Sequence, residues 1–342
     1  MNNPVASGER TRPAGAKTML AMVQHRYGPP DEVIRLATIV RPEIGSGEVL
    51  VKVKAAAVDR GTWHLTTGLP YPVRLAGYGF RAPKTPVRGM DLAGHVEEVG
   101  ADVTTVMPGD AVFGLGNGTF AEYARCDANL LTAKPHRLSF EQAAALPGSG
   151  LTALQGLRDQ GQLTSGQCVL VIGASGGVGS CAVQIAKGLG ADVTGVCSGD
   201  KVPFVRSLGA NQVIDYQTDD FADGTRRYDV ILDTGGNASL GRLRRALAPQ
   251  GILVLVGAET GGRWLGGTDR QIRAMIASPF IAQKLGTFIA SDNREDLLRL
   301  AELVESGTLT PPLDRTYPLA ELTAALRYLQ DGSARGKVVV TV

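Results

Sequence analysis

No stretch of this sequence holds 18 consecutive apolar residues, so no segment is suited to cross a membrane as a helix. Charge of one sign is scarce as well. Lys and Arg number 35 against 33 Asp and Glu, a balance of +2, and the cations are scattered, which argues against nucleic acid as a partner. Cysteine is sparse: Cys126, Cys168, Cys181 and Cys197 lie far apart and form no Cys-x-x-Cys pair. That spacing excludes a disulfide framework and fits reduced, packed thiols in a cytoplasmic protein. The four histidines, His25, His64, His95 and His136, show no metal-ligand spacing. There are no internal repeats.

What is present is a chain of 342 residues, 44% of them apolar, enough for two domains and a sizeable core. Its 44 glycines fall in short loops. Residues 1–17 are polar, with Pro and Gly, and lack the apolar centre of a signal peptide. They read as a disordered tail, although Arg10, Arg12 and Lys17 keep a transit peptide open. From Met19 to about Lys134 short strands alternate with turns such as Met107-Pro-Gly-Asp110, which predicts a β domain. Trp63 to Pro86 breaks that rhythm. It carries Pro70, Pro72, Pro83 and Pro86 with four aromatics, and predicts a long loop or short helices of functional interest.

Beyond Phe140 the pattern becomes strand–helix alternation. Strands are expected at 169–172, 193–197, 213–216, 230–233 and 252–257, with a sixth at 287–290. Helices are expected at 180–189, 202–208 and 239–247. This predicts a parallel sheet covered by helices. Helices at 296–305 and 320–329 and a last strand at 337–342 follow, the strand returning to the first domain. The expected partition is a tail at 1–17, one domain built from 18–139 and 292–342, and a second from 140–291.

The apolar run Cys168-Val-Leu-Val-Ile172 feeds Gly173-Ala-Ser-Gly-Gly-Val-Gly179. Glycines allow positive φ and close backbone approach, and the helix that follows presents free N–H groups and the positive end of its dipole. A glycine cluster that ends a strand and opens a helix is the context of a dinucleotide pyrophosphate site. Its expected contacts are Ala174, Ser175, Gly176, Gly177, Val178 and Gly179. About 20 residues on, an NAD site carries an acid for the ribose. Here the stretch reads Cys197-Ser-Gly-Asp-Lys201. Ser198 and Lys201 suit a 2′-phosphate, hence NADPH. Asp200 is the contrary signal, and either meets the ribose of NAD or caps the next helix. Tyr216 either flanks the adenine or is an ordinary strand-end aromatic.

Beyond the glycine loop, Gly89-Met-Asp-Leu-Ala-Gly94, Pro108-Gly-Asp110, Phe120-Ala-Glu-Tyr123, Ser207-Leu-Gly-Ala210 and Gly336-Lys337 occur in the order of the medium-chain dehydrogenase/reductase superfamily. The chain most resembles the zinc-independent, quinone oxidoreductase-like branch. The resemblance implies an α/β protein: a GroES-like β domain plus a Rossmann doubly wound parallel sheet domain, with the active-site cleft between them. Zinc-dependent relatives carry ligands where this chain has Met90-Asp91 and Leu146-Pro-Gly-Ser149, so no metal is expected. Without a Lewis acid, hydride passes most readily to a carbon that is already electrophilic, in a quinone or an α,β-unsaturated carbonyl.

By the same resemblance Thr152, Gly257, Phe288, Ile289, Arg335 and Lys337 are expected near the cofactor. Asp59 and His64 are the candidates for proton chemistry, or else they fix their loop through hydrogen bonds. Trp63, Tyr71 and Tyr78 are candidate pocket walls, or local core. The implied partners are a small-molecule substrate and a second copy of the chain, paired through the edge at 284–290. An alcohol or carbonyl oxidoreductase, or a non-catalytic NADPH-binding interaction protein, are the alternatives.

Overall fold

The computed structural model describes residues 16–257 and 262–342; the expectation for the tail falls almost wholly outside them. In chain order the first domain contains β1 (Thr18–Gln24), α1 (Pro30–Val33), β2 (Ile34–Val40), β3 (Glu48–Val58), α2 (Arg60–Thr67), β4 (Asp91–Val99), β5 (Ala111–Leu115), β6 (Tyr123–Asp127) and β7 (Leu131–Ala133). Then follow α3 (Phe140–Ala144), α4 (Pro147–Gln155), β8 (Cys168–Ile172), α5 (Gly177–Gly188), β9 (Asp192–Cys197), α6 (Val202–Ser207), β10 (Gln212–Asp215), β11 (Tyr228–Asp233), α7 (Leu240–Ala246) and β12 (Leu247–Leu255). The chain ends with α8 (Gly262–Leu265), α9 (Thr268–Ala277), β13 (Lys284–Thr287), α10 (Arg294–Glu305), β14 (Leu313–Pro318), α11 (Leu322–Gln330) and β15 (Lys337–Thr341).

β3 is the spine of the first domain. Val49, Val51 and Val53 face inward while Lys52 and Lys54 face solvent, the period of a half-buried strand. Its last four residues, Ala55–Val58, are all buried because β15 and β4 flank them there. The sheet runs β14-β15-β3-β4-β5-β7, with β6 also on β3. Gly94 lets β4 cross close to β3, since a Cβ there would stand 2.2 Å from the Lys52 carbonyl oxygen.

The second sheet runs β10-β9-β8-β11-β12-β13, every pair parallel. Val169–Ile172 of β8 and Val230–Leu232 of β11, at its centre, are buried apolar runs, as a sheet covered on both faces requires. The strand order reverses between β8 and β11, so a crevice opens beyond their carboxyl ends, at Ile172 and Asp233.

Two expectations change and one is decided. The helix after the glycine loop starts at Gly177 rather than 180, because the loop glycines themselves form its first turn. The sixth strand is Lys284–Thr287, and 288–290 lie past its end. The proline-rich stretch, expected as a long loop or short helices, opens with a short helix, α2, whose start is set by Asp59: its carboxylate accepts the Thr62 N–H at 2.7 Å.

Candidate active site

The glycine loop forms a cradle. Gly173 turns the chain at φ 79°, and a Cβ on Gly179 would lie 2.1 Å from the Gly173 carbonyl oxygen, so these two shape the turn. Gly176 differs, having nothing closer than 3.5 Å to its Cβ position. No side chain caps α5. The first N–H groups of this 12-residue helix therefore stand unpartnered beside an open backbone, which fits a pyrophosphate by charge and by space. Val178 is half-buried against the core, while Ala174 and Ser175 are buried beneath the turn.

A strap from the first domain lies across this loop. The Gly336 N–H donates to the Ser175 carbonyl at 2.8 Å, and Gly336 bridges to Gly176 as a parallel strand would. The stem of Lys337 runs past Gly177, where a Cβ would lie 2.7 Å from Lys337 Cδ. Arg335 reaches Asp200, whose carboxylate accepts from Arg335 Nη2 at 3.3 Å and from Ser198 Oγ at 2.7 Å. These bonds hold Asp200 below the usual carboxylate range, Ser198 contributing most.

The expectation for Lys201 is revised by its geometry. Its ammonium is buried and donates to the Gly332 and Ala334 carbonyls of the strap, so it ties the two domains together instead of facing a ribose. Tyr216 is exposed just past β10, on the side of Ser198.

Sequence reasoning named Lys337 but missed its partner, Asp91. Lys337 Nζ lies 3.3 Å from Asp91 Oδ2, with both side chains at least 95% buried. Asp91 Oδ1 accepts the Gly148 N–H at the start of α4. The pair thus joins β4, β15 and the N-termini of α4 and α5. Burial pushes the Asp91 carboxyl up to about 6, against the pull of Lys337 and the Gly148 N–H. Burial alone would lower Lys337, but the carboxylates of Asp91 and Asp59 outweigh it and hold the ammonium charged.

A second missed pair, Asp233 with Arg270, sits at the crevice. Arg270 Nη1 meets Asp233 Oδ2 at 2.6 Å, and Nη2 holds the Gly257 carbonyl at 2.8 Å. Asp233 also accepts from the N–H groups of Gly235 and Gly236. This fixes the ends of β11 and β12, and with them Gly257, at the rim of the crevice.

The remaining candidates gather around α2. The His64 ring bonds the Leu69 carbonyl through Nδ1 at 2.7 Å. A carbonyl only accepts, so Nδ1 carries the hydrogen and Nε2 keeps a role of its own. Asp59 is half-buried; besides capping α2 it accepts the Thr62 hydroxyl at 2.9 Å. Trp63 packs on the first domain's core and edge-on to His64. Tyr71 meets Trp264 of α8 edge-on at 5.1 Å, closing the proline-rich cover against the second domain. Tyr78 is exposed, and its carbonyl accepts from the Tyr27 hydroxyl. Thr152 turns its hydroxyl back to the Gly148 carbonyl. Phe288 packs beside Gly156 in the core, whereas Ile289 is 96% exposed. Met90, where a zinc ligand would stand, is exposed, and among the described residues no three His, Cys, Asp or Glu side chains converge as a metal group.

Comparison with known proteins agrees with this architecture. Residues 45–136 match the alcohol dehydrogenase GroES-like domain family and residues 208–340 the zinc-binding dehydrogenase family. The mitochondrial NAD(P)H oxidoreductase RTN4IP1 of Mus musculus is 32% identical, across 99% of this chain and 93% of its own length. The chloroplastic NADPH-dependent alkenal/one oxidoreductase of Arabidopsis thaliana is 31% identical, across 95% of this chain and 80% of its own. The solved structure of the quinone oxidoreductase from Coxiella burnetii aligns with a TM-score of 0.81 at 31% identity, covering 95% of this chain and 100% of that one. A likeness carried this evenly through both domains is one of descent: the chain belongs to the medium-chain dehydrogenase/reductase superfamily of oxidoreductases, in its quinone oxidoreductase-like branch.

Proposed function

We propose that the protein is an NADPH-dependent, zinc-independent reductase of quinones or α,β-unsaturated carbonyls. The observation that carries the reading is the Asp91–Lys337 pair. Asp91 stands beside the position of a zinc ligand in metal-dependent relatives, and here its carboxylate is already committed to an ammonium and an N–H. A metal-free site favours acceptors that are electrophilic in themselves. The reduced nicotinamide, when bound, supplies the hydride. The chain's part is to hold the pyrophosphate on the α5 N-terminus, to exclude water beneath Tyr71 and Trp264, and to deliver a proton. His64 is the proposed donor, as the imidazolium: its Nε2–H gives the proton to the substrate while Nδ1–H stays on the Leu69 carbonyl, and the neutral ring is then recharged from solvent. Names of relatives such as alkenal/one oxidoreductase point to the same acceptor class.

We place the enzyme in the cytoplasm, as a homodimer. Its cysteines are free. The edge strand β13 is flanked by exposed Ile272, Met275, Ile276 and Phe280, an apolar face that a second copy would cover.

The test is NADPH oxidation by chelator-treated protein against a quinone, a conjugated enone, a saturated ketone and an aldehyde, with NADH in parallel. Turnover confined to the first two supports the reading. Turnover of saturated carbonyls restored by zinc would sink it. Silence across the panel with NADPH still bound would leave a binding role.

A further inference from the structure

We propose that Asp200 sets the cofactor selectivity of this site, as an internal counter-ion that a ribose 2′-phosphate must displace. The inference rests on the placement of the adenosine ribose beyond β9.

Two donors there suit a phosphate: the Ser198 hydroxyl and the Arg335 guanidinium. Both already serve one carboxylate, Asp200, whose two oxygens accept one bond each. The third candidate, Lys201, is held by the strap carbonyls of Gly332 and Ala334. The other acid nearby is Asp215: a Cβ on Gly199 would lie 2.4 Å from its Oδ2, and its Oδ1 accepts the Gln217 N–H. Each donor thus already gives a bond to Asp200, which stands in for a ligand anion.

Its exposure makes the exchange easy. The Asp200 and Arg335 side chains are 60% and 49% exposed, and an ion pair that wet adds little stability. A phosphate dianion with three acceptor oxygens outcompetes one carboxylate for a guanidinium. Yet Asp200 cannot leave. Displaced, it stays within one short turn of the phosphate and repels it. At a separation of about 6 Å in water at physiological salt, that repulsion weakens binding by about threefold. Towards NADH the sign is opposite, because a ribose diol donates hydrogen bonds and a carboxylate accepts them. Asp200 thus narrows the discrimination that Ser198 and Arg335 would otherwise impose. Arg335 belongs to the first domain, so the selectivity element spans both domains.

The test measures dissociation constants of NADPH and NADH for the full chain by cofactor fluorescence, for wild type, Asp200→Asn and Arg335→Met. Asparagine keeps an oxygen for Ser198 and loses the charge. Asp200→Asn is expected to tighten NADPH about threefold and weaken NADH, moving their ratio about tenfold. Arg335→Met is expected to weaken NADPH about tenfold and leave NADH within twofold. The melting temperature of the unliganded protein should not change for Asp200→Asn, as the site is exposed. A ratio unmoved by Asp200→Asn in a folded protein overturns the proposal; Asp200→Ser repeats the test without the amide. Should the wild type bind NADH more tightly than NADPH, the NADPH reading fails while the direction of the Asp200→Asn shift still decides the role of Asp200.

Discussion

Removing Lys337 should make stability depend on pH in a window where the wild type is flat. An unfolded aspartate titrates near 3.9, and Asp91 in the fold near 6. Between those values the folded protein binds a proton that the unfolded chain does not. The Asp91 contribution to stability is therefore full below about 4, lost as pH rises through about 6, and constant above about 7. In Lys337→Met the buried carboxyl keeps only the Gly148 N–H. Breaking a buried ion pair commonly costs about 3–5 kcal/mol, because one charge is stranded. Protonation limits that cost here: without the pull of Lys337 the carboxyl rises further, and fully buried carboxyls of this kind stay neutral to about pH 9. Stability of the variant then keeps falling by about 1.4 kcal/mol per pH unit above 6, while the wild type levels off by about pH 7. Relative to its value at pH 6, where the wild-type carboxyl is still half-protonated, the gap between the two should widen by about 1.0 kcal/mol at pH 7 and about 2.3 kcal/mol at pH 8. Urea unfolding at the three pH values measures it, and the double variant Asp91→Asn, Lys337→Met should lose the slope. Parallel wild-type and Lys337→Met lines would refute the argument, since they would mean that Asp91 is solvated.

Other expectations concern single positions. Gly176→Ala has room for its methyl and should fold normally but raise the NADPH dissociation constant about tenfold, whereas Gly179→Ala drives a Cβ into the Gly173 carbonyl and should lower the melting temperature by several degrees. His64→Gln should lower kcat by about 100-fold with little change in NADPH affinity if Nε2 delivers the proton; unchanged kcat would reduce His64 to a loop anchor. Arg270→Met strands Asp233 in the core and should cost about 3 kcal/mol, read as a loss of thermal stability that Asp233→Asn in the same chain partly restores.

Local patterns made the second domain legible. A strand run, a glycine cluster and an apolar helical stripe lie within a few turns of one another, so residues 168–189 announce their own geometry. The same locality fails for the site's charges. Asp91 and Lys337 are 246 residues apart, and they meet because β4 and β15 both flank β3 and end at the same level. Nothing near either residue in the chain signals that partner. Lys201 misleads for a related reason. Its neighbourhood suggests a phosphate ligand, but the carbonyls that claim it come from the strap. The prolines of 70–86 left a long loop and short helices both open, and Asp59, an ordinary helix start, decides for α2.

The strap also dictates an order of assembly. The last strand of the parallel sheet ends at Thr287, and the residues that close the cofactor loop begin at Gly332. A chain emerging from the ribosome can lay down every strand of its nucleotide-binding sheet before Arg335, Gly336 and Lys337 exist. Until they arrive, the Ser175 carbonyl and the Lys201 ammonium lack the partners they have in the finished fold. On the proposed cofactor site, capture would mark completion of the whole molecule, and a ligand that stabilises only the finished fold favours chains that have threaded this last segment home.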